Sequence, residues 1–392
     1  MGMMFKSICC FIVICVCVLV AHTTSNHVFA QGTSPITGFA IIGDSAWDEY
    51  RGTDNRGGAY ANTTFNRAEL LQRFRGVNLG PWGTRAEPRR TGYEYLWARS
   101  GATTGTMISQ GQHTGVAQQI RDGKVSHVII WIGANDFATN NTIFAIYEGT
   151  LSGANLQNFL NQMLANIRTA ATTVEAAGPQ GMIIASVVDY AKASQFTGVE
   201  YFPDPVKRQR ITNAINTLNS GISQIAQENG AVYVDLDTQV QAKLITRLDG
   251  QGFLNVGSEK IDVKINDPEP HHALIDQAHA GTVMSGLMAN YELIQTFNAN
   301  FGTSIAEFTD QEILQNAGIQ VSATATPGPT ATPVSCATDL NSDRFTDISD
   351  YSILVAHFFQ SNPANPKADI NKDGFVDITD YSLLVANFFK NC

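Results

Sequence analysis

The chain has 392 residues, 44% of them hydrophobic, and a formal net charge of -10. That leaves room for two domains and a substantial core. The acidic balance argues against nucleic acid as a main partner, because phosphate binding needs clustered Lys and Arg.

Residues 1–30 read as a signal peptide. Lys6 supplies the positive start, Ile8 to Val20 is apolar, and Val28-Phe29-Ala30 offers a cleavage site before Gln31. As a membrane anchor the run is too short, about 13 residues against the roughly 20 that span a bilayer. No later segment is long and apolar enough to cross. Cys9, Cys10, Cys15 and Cys17 fall in this leader; Cys336 and Cys392 remain and bracket the C-terminal segment. In an exported unit the two suggest a disulfide rather than two free thiols, worth roughly 4 kcal/mol on the chain-entropy account.

Residues 31–321 alternate β-type and helical patterns. Gly38 to Ile42, Val128 to Ile132, Met182 to Val188 and Ala231 to Leu236 are short runs rich in β-branched residues. Leu156 to Ala176, Lys207 to Gln227 and Gly281 to Phe297 have helical periodicity. Fully apolar strands with helices between them predict an α/β domain, a parallel sheet covered on both faces. Its ligand site is expected beyond the carboxyl ends of the strands.

Four short motifs fall in those places. Gly43-Asp44-Ser45 ends the first strand, where a tight turn would present a nucleophile. Ala98-Arg-Ser-Gly101-Ala-Thr-Thr puts a glycine where backbone can approach a ligand. Gly133-Ala-Asn135-Asp136 ends another strand and offers a side-chain amide. Asp276-Gln-Ala-His279 spaces a carboxylate so that it can reach the imidazole Nδ1–H and leave Nε2 to take a proton. Each motif alone is also ordinary turn or cap chemistry. His271 and His272, with Glu269 or Asp267, are rivals that lack the carboxylate three residues before the histidine. Phe74 to Trp97 holds Trp82, Tyr93, Tyr95, Trp97, Arg85, Arg89 and Arg90, which would either line a cleft for a sugar or aryl ester or pack a surface loop.

Together, and in this order, the four motifs resemble the blocks of the SGNH, or GDSL, hydrolase superfamily over residues 36 to 300. The resemblance implies a flavodoxin-like three-layer α/β/α fold. It implies Ser45 as nucleophile, His279 as general base and acid, and Asp276 as its orienter. The Ser45 N–H, the Gly101 N–H and the Asn135 side chain would form an oxyanion hole. The string Gly-Asp-Ser-Ala and Ala280 after the histidine depart from common family usage without removing a catalytic atom. The reaction implied is ester hydrolysis through an acyl-serine, with no catalytic cofactor.

Residues 322–335, rich in Pro and Thr, hold nothing to bury and predict an extended linker. Residues 336–392 then repeat themselves. Asp339, Asn341, Asp343, Asp347 and Asp350 place oxygen side chains at loop positions 1, 3, 5, 9 and 12, as do Asp369, Asn371, Asp373, Asp377 and Asp380. Phe345 and Phe375 would add backbone carbonyls at position 7, completing two calcium loops. Gly374 suits position 6; Arg344 adopts the same backbone at a cost.

One loop and one helix per repeat resembles the type I dockerin family, which implies a small all-α calcium-binding module and a cohesin domain as partner. Leu354 to Phe359 and Leu384 to Phe389 would supply the core of the pair or its docking face. Ile348-Ser349 and Ile378-Thr379 stand where such modules choose partners. The combined expectation is a secreted serine esterase that deacetylates polysaccharide while anchored through its dockerin-like end. The alternatives are a lipase or arylesterase acting on small or lipid esters, and a non-catalytic carbohydrate-binding or scaffold unit.

Overall fold

The computed structural model describes residues 36–51, 56–192, 201–321, 337–341, 345–361 and 363–388. The signal segment, the linker, Cys336, Cys392, Asp343 and Arg344 lie outside these residues. Contacts divide the chain after Val321 into two compact units.

In the first unit the apolar runs become strands. In chain order these are β1 (Phe39–Gly43), β2 (Trp82–Thr84), β3 (Thr91–Tyr93), β4 (His127–Trp131), β5 (Gly181–Ala185), β6 (Val232–Val234), β7 (Phe253–Val256), β8 (Glu259–Asn266) and β9 (His272–Leu274). Strands β1, β4, β5 and β6 form one parallel sheet in that order. A single parallel bridge from Ile41 to Leu96 extends it on the other side of β1.

Every residue of β1, β4 and β5 is buried. Side chains alternate across a strand, and the two faces feed separate cores. Phe39, Ile41, Ile129 and Trp131 join one; Ala40, Ile42, Val128 and Ile130 join the other. The helices Gly153–Glu175 and Pro205–Glu228 cover the second face, with Met163, Ile167, Ile215 and Leu218 inward. Burial on both faces is why the strands read as unbroken apolar runs.

The helix expected from Gly281 to Phe297 is interrupted. It runs as α-helix from Thr282 to Met288, as π-helix from Ala289 to Ile294, and as α-helix again from Gln295 to Asn300. The short sheet β7–β9 adds to the four apolar runs: in β8 (Glu-Lys-Ile-Asp-Val-Lys-Ile-Asn) the buried Ile261 and Val263 alternate with Lys260, Asp262 and Lys264, the pattern of a strand covered on one face rather than an unbroken apolar run.

The second unit contains two matched helices, Ile348–Ala356 and Ile378–Ala386. Leu340, Leu354, Ala368, Ile370, Val376 and Leu384 make its core, and Tyr351 meets Tyr381 edge to face at 6.1 Å. Leu354 and Leu384 thus serve the core, while the neighbouring Val355 and Val385 are exposed.

Candidate active site and candidate calcium loops

Ser45 follows β1 on a turn built from its neighbours. The Asp44 side chain accepts the Ala46 N–H at 3.0 Å, and its carbonyl accepts the N–H groups of Trp47 and Asp48. Gly43 passes so close to β4 that a Cβ there would stand 2.6 Å from the Trp131 carbonyl oxygen. A larger residue would push the turn off the sheet. Burial raises the Asp44 carboxyl to about 6, despite the opposing pull of the Ala46 N–H and the Arg67 charge.

Asp276 and His279 are joined as their spacing predicts. His279 Nδ1 lies 2.7 and 2.8 Å from the two Asp276 oxygens, and the N–H groups of Ala278 and His279 also donate to Oδ1, each at 2.8 Å. Partial burial would raise Asp276, but these hydrogen bonds outweigh it and hold the carboxyl at about 2. A carboxylate so held accepts the Nδ1 proton, which turns Nε2 into the free acceptor. Nε2 is buried with no hydrogen-bond partner among the described residues. Tyr50 packs edge-on against the ring at 6.3 Å, and its hydroxyl donates to the Ala280 carbonyl at 3.1 Å.

Ser45, Asn135 and His279 line one cavity of about 400 Å³. Asn135 stands on the first turn after β4 and donates one amide hydrogen to the Ala102 carbonyl at 3.0 Å; its second is left for another acceptor. That bond draws the Gly101 loop to the site. Gly101 itself is exposed, at φ +78°, and is not part of the cavity wall. Asp136 secures the same loop by accepting from Thr104 N at 2.8 Å and Thr104 Oγ1 at 2.7 Å. The Asp48 carboxylate holds Ser100 N at 2.7 Å and Arg90 at 2.6 Å.

The rival histidines pair with the carboxylates named for them, His271 with Glu269 at 2.9 Å and His272 with Asp267 at 2.6 Å. Neither lines the cavity. The aromatic and Arg stretch packs on itself. Arg85 donates to the carbonyls of Gly83, Gly92 and Pro81, Arg89 covers Trp97 at 4.3 Å, and none of its residues lines the cavity.

Two cavity residues escaped the sequence reading. Arg67 is clamped between the rings of Trp47 and Trp131, at 4.6 and 4.2 Å. Its Nε lies 3.2 Å from Glu292 Oε2, with both side chains almost wholly buried. Burial raises Glu292 to about 7 against the pull of Arg67.

Comparison with known families bears on the same residues. The family model for the GDSL-like Lipase/Acylhydrolase family matches residues 41–253. The chain belongs to that family. The Dockerin type I domain model matches residues 337–388, so the C-terminal unit is a dockerin. None of the curated proteins compared matches the sequence.

Among solved structures, similarity is found to an acetylxylan esterase from Geobacillus stearothermophilus, at 14% identity over 68% of this chain and 94% of that one, TM-score 0.36. An extracellular lipase from Streptomyces rimosus matches at 17% identity over 52% and 82%, TM-score 0.34. The esterase EstA from Pseudoalteromonas sp. matches at 15% over 55% and 86%, TM-score 0.28. Likenesses of this size carry no argument about substrate. Family membership makes the chain a carboxylic ester hydrolase with a mixed α/β fold around a central parallel sheet.

Dockerin type I domains are calcium-binding modules, and the donor chemistry of both loops fits that ion. The position-12 carboxylates are fully buried. Asp350 accepts from the N–H groups of Leu340, Asn341 and Asp347; Asp380 accepts from those of Ile370, Asn371 and Asp377. Asp369 and Asn371 accept from Asp373 N, and Asp369 also from Gly374 N, where φ is +92°. Such oxygen-only sets with excess negative charge suit a hard cation. Among the described residues, no three His, Cys, Asp or Glu side chains are already gathered as a metal group; the carboxylates cap backbone N–H groups instead.

Proposed function

We propose that this chain is a secreted serine esterase that removes acyl groups from polysaccharide, using Ser45, His279 and Asp276. The observation that carries the reading is His279, oriented by Asp276 through Nδ1, with an unpartnered Nε2 on the cavity that Ser45 lines. Ser45 Oγ attacks the ester carbonyl carbon as its proton passes to Nε2. The Ser45 N–H and the second Asn135 amide hydrogen meet the developing oxyanion, each worth about 3–4 kcal/mol of barrier; the Gly101 N–H, outside the cavity wall, would join them only if substrate draws in the loop that Ala102 ties to Asn135. His279 then returns the proton to the departing alcohol, and water hydrolyses the acyl-serine by the same route.

A polysaccharide substrate is inferred from the dockerin alone, whose expected partner is a cohesin domain and whose exposed Ile348 and Ile378 offer matched contacts. Asp339, Asn341, Asp343, Phe345, Asp347 and Asp350 would hold one calcium. Asp369, Asn371, Asp373, Phe375, Asp377 and Asp380 would hold the other. Bound calcium would neutralise the acidic loops and fix the turns before the two helices. No helix among the described residues is long and apolar enough to cross a membrane.

Release of acetate from acetylated xylan, and of p-nitrophenol from its short and long acyl esters, tests the reading in wild type and Ser45→Ala. The proposal expects ester hydrolysis that disappears in Ser45→Ala. Undiminished activity in that variant contradicts it. The lipase or arylesterase alternative is favoured by one observation, the apolar part of the cavity wall; activity on long esters alone would favour its lipase form, and activity on small p-nitrophenyl esters without acetate release from xylan its arylesterase form.

A further inference from the structure

The cavity beside Ser45 is far larger than an acetyl group requires. At about 30 Å³ per water-sized group, its roughly 400 Å³ holds on the order of a dozen such groups. Leu236, Val240, Leu244, Val263, Met284 and Met288 line part of it, and that part of the wall favours an apolar occupant.

Of the polar side chains in the wall away from Ser45 and His279, Gln241 is half-buried and Lys264, Asn266 and Gln277 are exposed, whereas one charged pair is buried. Glu292 and Arg67 both line the cavity, with side chains only 2% and 3% exposed. The ion pair between them lacks hydrogen-bond geometry, and neither Glu292 carboxylate oxygen has a hydrogen-bond partner among the described residues. A buried acceptor left so is costly, by about 1–3 kcal/mol or more for a charged group. Glu292 is carried by the π-helical interruption from Ala289 to Ile294, a geometry that concentrates at functional positions. Arg67 cannot swing away from it, being held between two indole rings. Its Nη2 donates to the Ala46 carbonyl at 3.3 Å, which ties the pair to the residue after the nucleophile.

We propose that this cavity is the acyl pocket, and that it takes an acyl group with an apolar body and a distal hydroxyl that donates to Glu292. The inference rests on the serine-esterase reading above. A second cation at that end is disfavoured by Arg67 and an anion by Glu292, which leaves a neutral O–H donor as the matching chemistry. A para-hydroxyphenylpropanoyl group has that shape: an apolar ring with a hydroxyl opposite its attachment.

The test compares p-nitrophenyl esters of acetic, phenylpropanoic and para-hydroxyphenylpropanoic acids in wild type and Glu292→Gln. A hydrogen bond to a charged acceptor predicts that the hydroxyl raises kcat/KM by about ten- to a hundredfold over the unsubstituted ring. In Glu292→Gln that ratio is expected to fall to a few-fold. A second comparison does not depend on the variant folding: the free acids are tested as inhibitors of the wild type, where the hydroxylated acid should bind about tenfold tighter. Equal inhibition by the two acids, or a hydroxyl preference unchanged in Glu292→Gln, overturns the pocket assignment. Hydrolysis of the acetyl ester alone also overturns it and leaves the esterase reading standing. Failure on every ester, acetyl included, overturns both.

Discussion

Two carboxylates stand in pairs at the same cavity, Asp276 behind His279 and Glu292 beside Arg67, and the pairs are built in opposite ways. Asp276 and His279 lie three residues apart on a turn, with Asp276 about half exposed and every polar atom of the carboxylate hydrogen-bonded. Arg67 and Glu292 come from helices far apart in the chain, are almost wholly buried, and touch without hydrogen-bond geometry. Where the carboxylate keeps donors and some water, its pKa falls to about 2. Where it is stripped of both, a neighbouring guanidinium does not prevent a rise to about 7. The first pair is suited to holding a proton-transfer group steady, the second to receiving something from the cavity.

The largest effect should come from the local pair. Asp276→Asn would leave His279 in the wrong tautomer and lower kcat by about 10⁴-fold, or roughly 5 kcal/mol, with little change in stability. A loss under tenfold would mean that Asp276 does not orient the histidine. Next comes Arg67→Met, which strands Glu292 in the interior and should cost about 3–5 kcal/mol in urea unfolding. The double variant with Glu292→Gln should recover part of that loss; no recovery would show that the two side chains are not coupled.

A smaller effect is the pH dependence of stability. Glu292 ordinarily titrates at 4.5 but at about 7 in the fold. Between those values the folded state keeps a proton that the unfolded state has released, so its contribution is greatest below 4.5 and declines as pH rises through 7. The difference in stability between wild type and Glu292→Gln should therefore change over that window and level off above it. A flat difference would contradict the assignment. Smallest is the asymmetry of the calcium loops. If the loop repeat requires at position 6 of the first site the left-handed backbone that Gly374 takes in the second, a side chain there costs about 1–2 kcal/mol, so the first site should bind several-fold more weakly in a calorimetric titration. Equal sites, or a tighter first one, would break that reading.

The contrast between the two pairs also explains what the sequence made legible. Asp276 and His279, Ser45 after β1, and the two acidic repeats are defined by short spacings, so their geometry is local and can be read directly. The apolar runs likewise announced β1, β4, β5 and β6, with boundaries shifted by one to a few residues. Arg67 and Glu292 carry no such signal, because their meeting depends on the packing of Arg67–Phe74 against the later helix. The π-helical interruption was invisible for a related reason: one extra residue in a turn leaves the apolar periodicity on either side intact. The parallel pairing at Leu96 is a single bridge, too short for any periodicity to reveal.

The claim on which the account depends most is that Ser45 is the nucleophile, and a p-nitrophenyl alkylphosphonate tests it directly. Attack of Ser45 Oγ on phosphorus would release p-nitrophenolate and leave a stable adduct. The account predicts one adduct per chain, mapped to Ser45 by mass spectrometry, with ester hydrolysis lost in step with labelling. Full hydrolysis by a chain labelled at Ser45, or inactivation with the label on another residue, would contradict it.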